Sequence, residues 1–165
     1  ALAEVISPPG GALIQALFFT GTALRFAGDP WQAASEPTAD FAPLPAFSRA
    51  VLADLQEGSE QVHLIGLVCA DPPTAQTAGR VLAGRVEAFH LPDQPEDVLV
   101  EKVGATVSVS VVERPQDALA VAVVEVRYPL PSPRTDPETG QFSAGGWLYR
   151  TWVRAITRRE FTPLW

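Results

Sequence analysis

The chain has 165 residues, 47% of them hydrophobic and 19% charged, which suits one domain with a buried core and excludes a disordered chain. Its formal net charge of −7 argues against a general polyanion binder. The charge is uneven, however: residues 1–126 carry six basic and sixteen acidic side chains, and residues 127–165 carry six arginines and three acids. Sixteen prolines and twelve glycines, between runs rich in Val, Thr and Ala, predict many turns and a β-rich fold.

The first part of the chain is predicted to hold one long strand and the only substantial helix. The stretch "SPPGG" ends a flexible N-terminal arm (residues 1–11), and the apolar run after it predicts a strand from Ala12 to Phe26. A proline-rich loop is expected over residues 28–45. The stretch "AFSRAVLADLQEG" predicts a helix over residues 46–57, because it combines a proline near its start, an apolar stripe at helical spacing and a final glycine.

The rest of the chain is predicted to consist of strands and connectors. Strands are expected at residues 61–70, 80–91, 105–114, 118–126 and 147–158. Residues 105–114 alternate Val with Thr and Ser, as in a strand with one buried face, whereas residues 118–126 are continuously apolar, as in a strand buried on both faces. Six or seven short strands and one helix predict a single all-β barrel or sandwich domain spanning residues 1–165.

The last predicted strand, residues 147–158, concentrates aromatic and basic side chains. A two-residue period places Arg150, Trp152, Arg154 and Arg158 on one face. An indole can stack on a base, and guanidinium groups can pair with phosphates. The candidate nucleic-acid-binding residues are Tyr128, Trp147, Tyr149, Arg150, Trp152, Arg154 and Arg158. The alternative is that Trp152 belongs to the core and the arginines pair with nearby glutamates.

Two longer stretches have the patterns of a known family. The segments "AFSRAVLADLQEGSEQVHLIGLV" and "RVLAGRVEAFHLPD" combine a predicted helix, a Gly-Ser turn and strands, and "LAVAVVEVRYPLPSPRTDPETGQFSAGGWLYRTWVRAIT" combines a strand, a long loop and the Trp152-Val153-Arg154 motif. They resemble parts of the bacterial single-stranded-DNA-binding protein family, in the opposite order along the chain. The resemblance implies a Greek-key barrel of the oligonucleotide-binding (OB) type, in which the loop at residues 129–146 and the Trp-x-Arg strand hold single-stranded nucleic acid.

No catalytic or metal site is indicated. The two histidines, His63 and His90, lack the spacing of metal-binding motifs, and the single cysteine, Cys69, lies in an apolar run typical of a buried strand. Neither a Gly-x-Ser-x-Gly motif nor a phosphate-binding loop is present. We therefore expect a non-enzymatic protein that uses no metal and no cofactor.

Two functions are compatible with these patterns. The first is non-catalytic binding of single-stranded nucleic acid by an OB-type barrel. The second is a structural assembly protein, such as a single jelly-roll viral capsid subunit, which also has long Pro/Gly loops and apolar contact surfaces. A homo-oligomer is expected in both cases, because the strands at 12–26 and 118–126 are too apolar for the surface of a small monomer. No membrane span or secretory signal is expected, so the protein is predicted to be cytoplasmic or, as the alternative, part of a virion.

Overall fold

The structure, a computed structural model, describes residues 12–20, 44–91, 94–114, 118–130, 134–135, 142–143 and 153. Its centre is a five-stranded antiparallel sheet in the spatial order β1-β2-β3-β7-β6. The sheet strands are β1 (Ala12–Thr20), β2 (Arg49–Glu57), β3 (Glu60–Cys69), β6 (Thr106–Arg114) and β7 (Leu119–Pro129). The other elements are α1 (Pro72–Glu87), β4 (His90–Leu91), β5 (Gln94–Val98), α2 (Leu99–Lys102), β8 (Arg134–Thr135) and β9 (Phe142–Ser143). Strand β4 pairs with β5, and β8 pairs with β9.

The predicted predominance of antiparallel strand around one substantial helix is confirmed. The five-stranded sheet is open in the described part of the chain, with β1 and β6 as its two edges, so it does not close into the expected barrel. The N-terminal arm (1–11) and most of the proline-rich loop (28–45) lie outside the described residues. The single-domain assignment to residues 1–165 stays a prediction.

The helix predicted over residues 46–57 is wrong, because residues 49–57 form strand β2 in the middle of the sheet. Six consecutive residues of this strand are buried, from Ala50 to Leu55. A strand covered on both faces has no polar alternation, so its apolar residues also fit the spacing of a helical stripe. Gly58 does adopt a positive φ of 59°, but it does so in the two-residue turn between β2 and β3 rather than at a helix end.

The strand predicted over residues 80–91 is wrong for most of its length, because α1 occupies residues 72–87 and only His90 and Leu91 are extended. Asp71 caps this helix by accepting a hydrogen bond from the Thr74 amide at 2.7 Å. Two prolines follow the cap at the first helical positions, where a missing N–H costs nothing. The sequence "DPPT" is therefore a helix start, although its prolines also resemble those of a turn.

The hydrophobic core has two parts, one on each face of the sheet. We call the first the helix-side core, since α1 packs over β3, β7 and β6 on this face. Its buried members are Ala50, Leu52, Ile65, Leu67, Cys69, Ala75, Ala78, Leu82, Ala83, Val86, Phe89, Val100, Ala120, Ala122, Val124, Val126 and Tyr128. The second core lies on the opposite face and consists of Val51, Ala53, Leu55, Val62, Leu64, Val68, Val121 and Val123. Strands β2, β3 and β7 are thus buried on both faces, as predicted for residues 118–126.

Candidate functional site

The predicted nucleic-acid-binding residues cannot be assembled from the described part of the chain. Six of the seven lie outside it: Arg150, Trp152, Arg154, Arg158, Trp147 and Tyr149. The seventh, Tyr128, is in the helix-side core with 2% of its surface exposed, so its ring is not accessible to a base. Val153 is helical and packs against the same core, which differs from the strand predicted at 147–158; the other residues of that stretch lie outside the description.

Tyr128 belongs to a buried polar cluster on the helix-side face of the sheet. Asp54 and His63 are opposite each other on β2 and β3, and His63 Nε2 lies 3.3 Å from Asp54 Oδ1. The Tyr128 hydroxyl is 3.2 Å from the same His63 nitrogen, with the two rings edge to face. Gln15 donates to Asp54 Oδ2 at 3.1 Å, and Gln61 donates to Oδ1. The carboxylate thus accepts from two neighbouring strands, β1 and β3, and links the edge strand to the centre of the sheet.

The electrostatics of this cluster match a structural role. Burial lowers the pKa of His63, and this effect outweighs the opposing influence of Asp54, so the imidazole is neutral at physiological pH. Burial alone would raise the pKa of Asp54, but hydrogen bonds from His63, Gln15 and Gln61 lower it overall, so the carboxylate is ionised. Because an ionised carboxylate only accepts, His63 carries its proton on Nε2. Burial raises the pKa of the Tyr128 phenol, which stays protonated.

The cluster is closed to solvent, which decides what it can do. Asp54 is 2% exposed and His63 is fully buried. A carboxylate, an imidazole and a phenol in contact are common in catalytic sites, but a substrate must reach at least one of them. The cluster therefore has a structural role, in which its hydrogen bonds hold neighbouring strands of the sheet together. The sequence did carry a signal for it, since Asp54, Gln61 and His63 interrupt apolar runs, but the incorrect helix prediction separated Asp54 from the strands.

A second charged cluster lies where the β2–β3 hairpin meets β7. Glu57 and Glu60 are directly opposite each other across the turn, an arrangement that is unfavourable for like charges. Arg127 donates to both carboxylates at 2.9 Å and to Glu125 at 3.1 Å. These hydrogen bonds raise the pKa of Arg127, so the guanidinium remains charged. Three acids around one arginine leave this corner of the molecule negative, which disfavours a phosphate backbone.

Among the described residues, the largest exposed apolar side chains are concentrated on strand β1. This strand lies at the sheet edge and pairs only with β2 among the described strands, with an irregularity in the register between Leu13 and Gln15. Four large apolar side chains on it are between 37% and 58% exposed: Leu13, Ile14, Leu17 and Phe18. Leu17 and Phe18 are consecutive, so they project to opposite faces of the sheet. Strand β1 therefore exposes apolar surface on both of its sides.

The two apolar strands from which an oligomer was predicted, at residues 12–26 and 118–126, differ in burial. Strand β7, which covers most of the predicted strand at 118–126, is central and buried, so the core accounts for its apolar composition. Strand β1, which covers the first nine residues of the predicted strand at 12–26, is exposed except at Ala16 and Phe19, which are half-buried. The exposed apolar side chains of β1 are the part that the described residues of one copy do not cover.

Comparison of the chain with protein-family models, with curated proteins and with solved structures found no significant match. The resemblance to single-stranded-DNA-binding proteins accordingly stays a prediction. Among the described residues there is no helix with the length and apolar character needed to cross a membrane. Within the same residues, no three His, Cys, Asp or Glu side chains are grouped so that they could hold a metal ion.

Proposed function

We propose that the protein is a non-catalytic structural protein whose copies associate through the apolar edge strand β1. The observation that carries this proposal is the exposure of Leu13, Ile14, Leu17 and Phe18 on one strand of a chain whose net charge is −7. Contiguous apolar surface of this kind marks contact sites in proteins, whereas single exposed apolar side chains do not.

The composition of β1 supports association rather than solvent exposure. Edge strands of proteins that remain monomeric are usually protected by charged residues, prolines or short length. Strand β1 has nine residues, "ALIQALFFT", without a charge or a proline. Its only long polar side chain, Gln15, is engaged with Asp54. A strand of this composition is stable in water when another chain covers it.

The buried polar cluster and the ion-paired Arg127 favour a structural protein over an enzyme and over a nucleic-acid-binding protein. The imidazole and carboxylate of the cluster are inaccessible, so they support no reaction with a substrate. The guanidinium of Arg127 is held by three glutamates and cannot neutralise a phosphate without losing those partners. Binding of single-stranded nucleic acid by residues 147–158 stays a prediction, and so does the narrower assignment to a jelly-roll capsid subunit.

Sedimentation velocity over a concentration series tests the proposal. The wild type should shift from the mass of one chain, 17.7 kDa, towards a larger species as concentration rises. Phe18→Glu should abolish this shift, because it places a charge at the most exposed apolar position of β1. The matched control is Val112→Glu, since Val112 is 38% exposed on the opposite edge strand, and this variant should associate like the wild type.

A titration of the same preparations with labelled single-stranded DNA at low salt separates the two candidate functions. A wild type that stays monomeric and binds the oligonucleotide would contradict the proposal and support binding of single-stranded nucleic acid instead. Association that survives Phe18→Glu would show that the contact surface is elsewhere. Association lost in Phe18→Glu, kept in Val112→Glu and unaccompanied by DNA binding is the expected result.

A further inference from the structure

We infer that β1 of one copy pairs antiparallel with β1 of a second copy around a two-fold axis, so that two five-stranded sheets join into one continuous sheet of ten strands. This inference rests on the proposed function and specifies the geometry of the contact. It concerns main-chain pairing between the copies, which goes beyond the burial of apolar side chains.

The position of β1 in the sheet provides the first argument. No strand in the described part of the chain lies along the outer edge of β1. An edge strand presents a row of main-chain donors and acceptors, and a second strand can extend the ladder there. Pairing along this edge would also bring together the exposed side chains on both faces, because Leu17 and Phe18 point in opposite directions. A contact that stacks one face of the sheet would cover only half of them.

The direction of the strands indicates which partner fits. Neighbours in the order β1-β2-β3-β7-β6 are all antiparallel, so β1 and β6 run in the same direction. Head-to-tail pairing of β1 with β6 of another copy, without turning the sheet over, would therefore be parallel. Parallel pairing is slightly less stable and would interrupt the antiparallel sheet. Pairing of β1 with itself around a two-fold axis keeps the antiparallel pattern and closes the assembly as a dimer.

Charge also favours self-pairing in the antiparallel direction. Strand β1 is uncharged in a chain of net charge −7, so two copies can approach here without direct repulsion between their paired strands. On the neighbouring strand, Arg49 lies opposite Thr20 at one end, and Glu57 lies just beyond the partner of Ala12 at the other end. Antiparallel pairing turns the Arg49 end of one copy towards the Glu57 end of the other. The separation is about 14 Å, three strand spacings, so the attraction is small, but parallel pairing would bring like ends together.

The exposed area indicates how strong the dimer should be. If a side chain of this size exposes on the order of 200 Å² when free, the four apolar residues of β1 offer about 400 Å² per copy. Two copies would then bury about 800 Å² of side-chain surface, in addition to the paired backbone. This total lies below or near the lower end of the roughly 1,200–2,000 Å² that stable complexes bury. We therefore expect a reversible dimer, detected at micromolar rather than nanomolar concentration.

Disulfide crosslinking between variants that each carry one introduced cysteine tests the pairing. In an antiparallel two-fold pair, residue i of one copy lies opposite residue N − i of the other, with one fixed value of N. Variants Ile14→Cys, Ala16→Cys, Leu17→Cys and Phe18→Cys are oxidised singly and in mixed pairs, and the dimer yield is measured on non-reducing gels. The native Cys69 is buried, and burial raises its thiol pKa, so the wild type reports the background.

The expected result is near-complete crosslinking of pairs that share one sum of residue numbers, and wild-type yield for the others. For example, Leu17→Cys alone and the mixture of Ala16→Cys with Phe18→Cys have equal sums, so they should crosslink together or fail together. Crosslinks confined to one face, such as Leu17→Cys reacting with itself while the mixture of Ala16→Cys with Phe18→Cys does not react, would overturn strand pairing while leaving the proposed association intact. A wild type that is monomeric at all concentrations would remove the proposed function itself.

Discussion

Replacing Asp54 with alanine should be among the most damaging single changes in the sheet. Asp54 accepts hydrogen bonds from Gln15, Gln61 and His63. Gln15 is at the exposed edge and can turn to water, and His63 Nε2 keeps the Tyr128 hydroxyl at 3.2 Å, but Gln61 is buried and would lose its acceptor. A buried polar group left without a partner costs about 1–3 kcal/mol. The orphaned Gln61 amide therefore predicts a loss of about 1–3 kcal/mol in the free energy of unfolding.

Urea denaturation followed by tryptophan fluorescence and far-ultraviolet circular dichroism measures this loss. The denaturation midpoint should fall with an unchanged m value, which indicates lower stability without a change of mechanism. Asp54→Asn keeps one acceptor oxygen at nearly the same volume and should lose less than Asp54→Ala. Glu113→Ala is the matched control, because Glu113 is an exposed carboxylate on edge strand β6, and it should remain within about 0.5 kcal/mol of the wild type. Asp54→Ala within that same margin would refute the structural role of the cluster.

Three further changes have expected outcomes. Gly66→Ala should lower the free energy of unfolding by about 1–3 kcal/mol in the same denaturation assay, because a Cβ there would lie 2.7 Å from buried Val51 Cγ1. Gly84→Ala is the control and should be neutral or stabilising, since Gly84 is in α1 and its added Cβ would have nothing within 4 Å. Arg127→Met should lower the free energy of unfolding by about 1 kcal/mol at low salt, and by less in roughly 1 M salt, because it removes the ion pairs with three glutamates. A loss of stability that does not depend on salt would contradict this ionic contribution. Because burial lowers the pKa of His63 below 6.5, the unfolded chain takes up a proton that the folded chain does not, so stability should fall as the pH decreases through 6.5, by at most about 1.4 kcal/mol per unit. His63→Phe should lose this part of the pH dependence, and an unchanged slope in that variant would contradict the assignment.

The sequence predicted strands correctly where the burial of one or both strand faces determined the order of polar and apolar residues. The alternation at residues 105–114 places Val107 and Val111 against the helix-side core and leaves Ser108 and Ser110 exposed, as in a strand covered on one face. The continuous apolar run in β7 was correctly interpreted as a strand buried on both faces. In these elements local pattern and tertiary environment agree.

The predictions failed where the tertiary environment removed the pattern. Strand β2 is covered on both faces, so the alternation that would distinguish it from a helix is absent. Helix α1 begins with Asp71 and two prolines, and its small residues Ala75, Ala78 and Gly79 allow close packing on the sheet, but the same residues also occur in turns. No local signal could show that Asp54 and His63 meet across two strands, because their pairing depends on the β2–β3 register.

Amide hydrogen exchange at two protein concentrations shows whether copies of the chain associate through strand β1. The wild type is labelled well below and well above the concentration at which its mass increases, and the protection of peptides covering residues 12–20 and 106–114 is compared. We expect the protection of residues 12–20 to rise at the higher concentration, while that of residues 106–114 on the opposite edge remains unchanged. Protection of residues 12–20 that does not depend on concentration, or a rise confined to residues 106–114, would contradict association through β1.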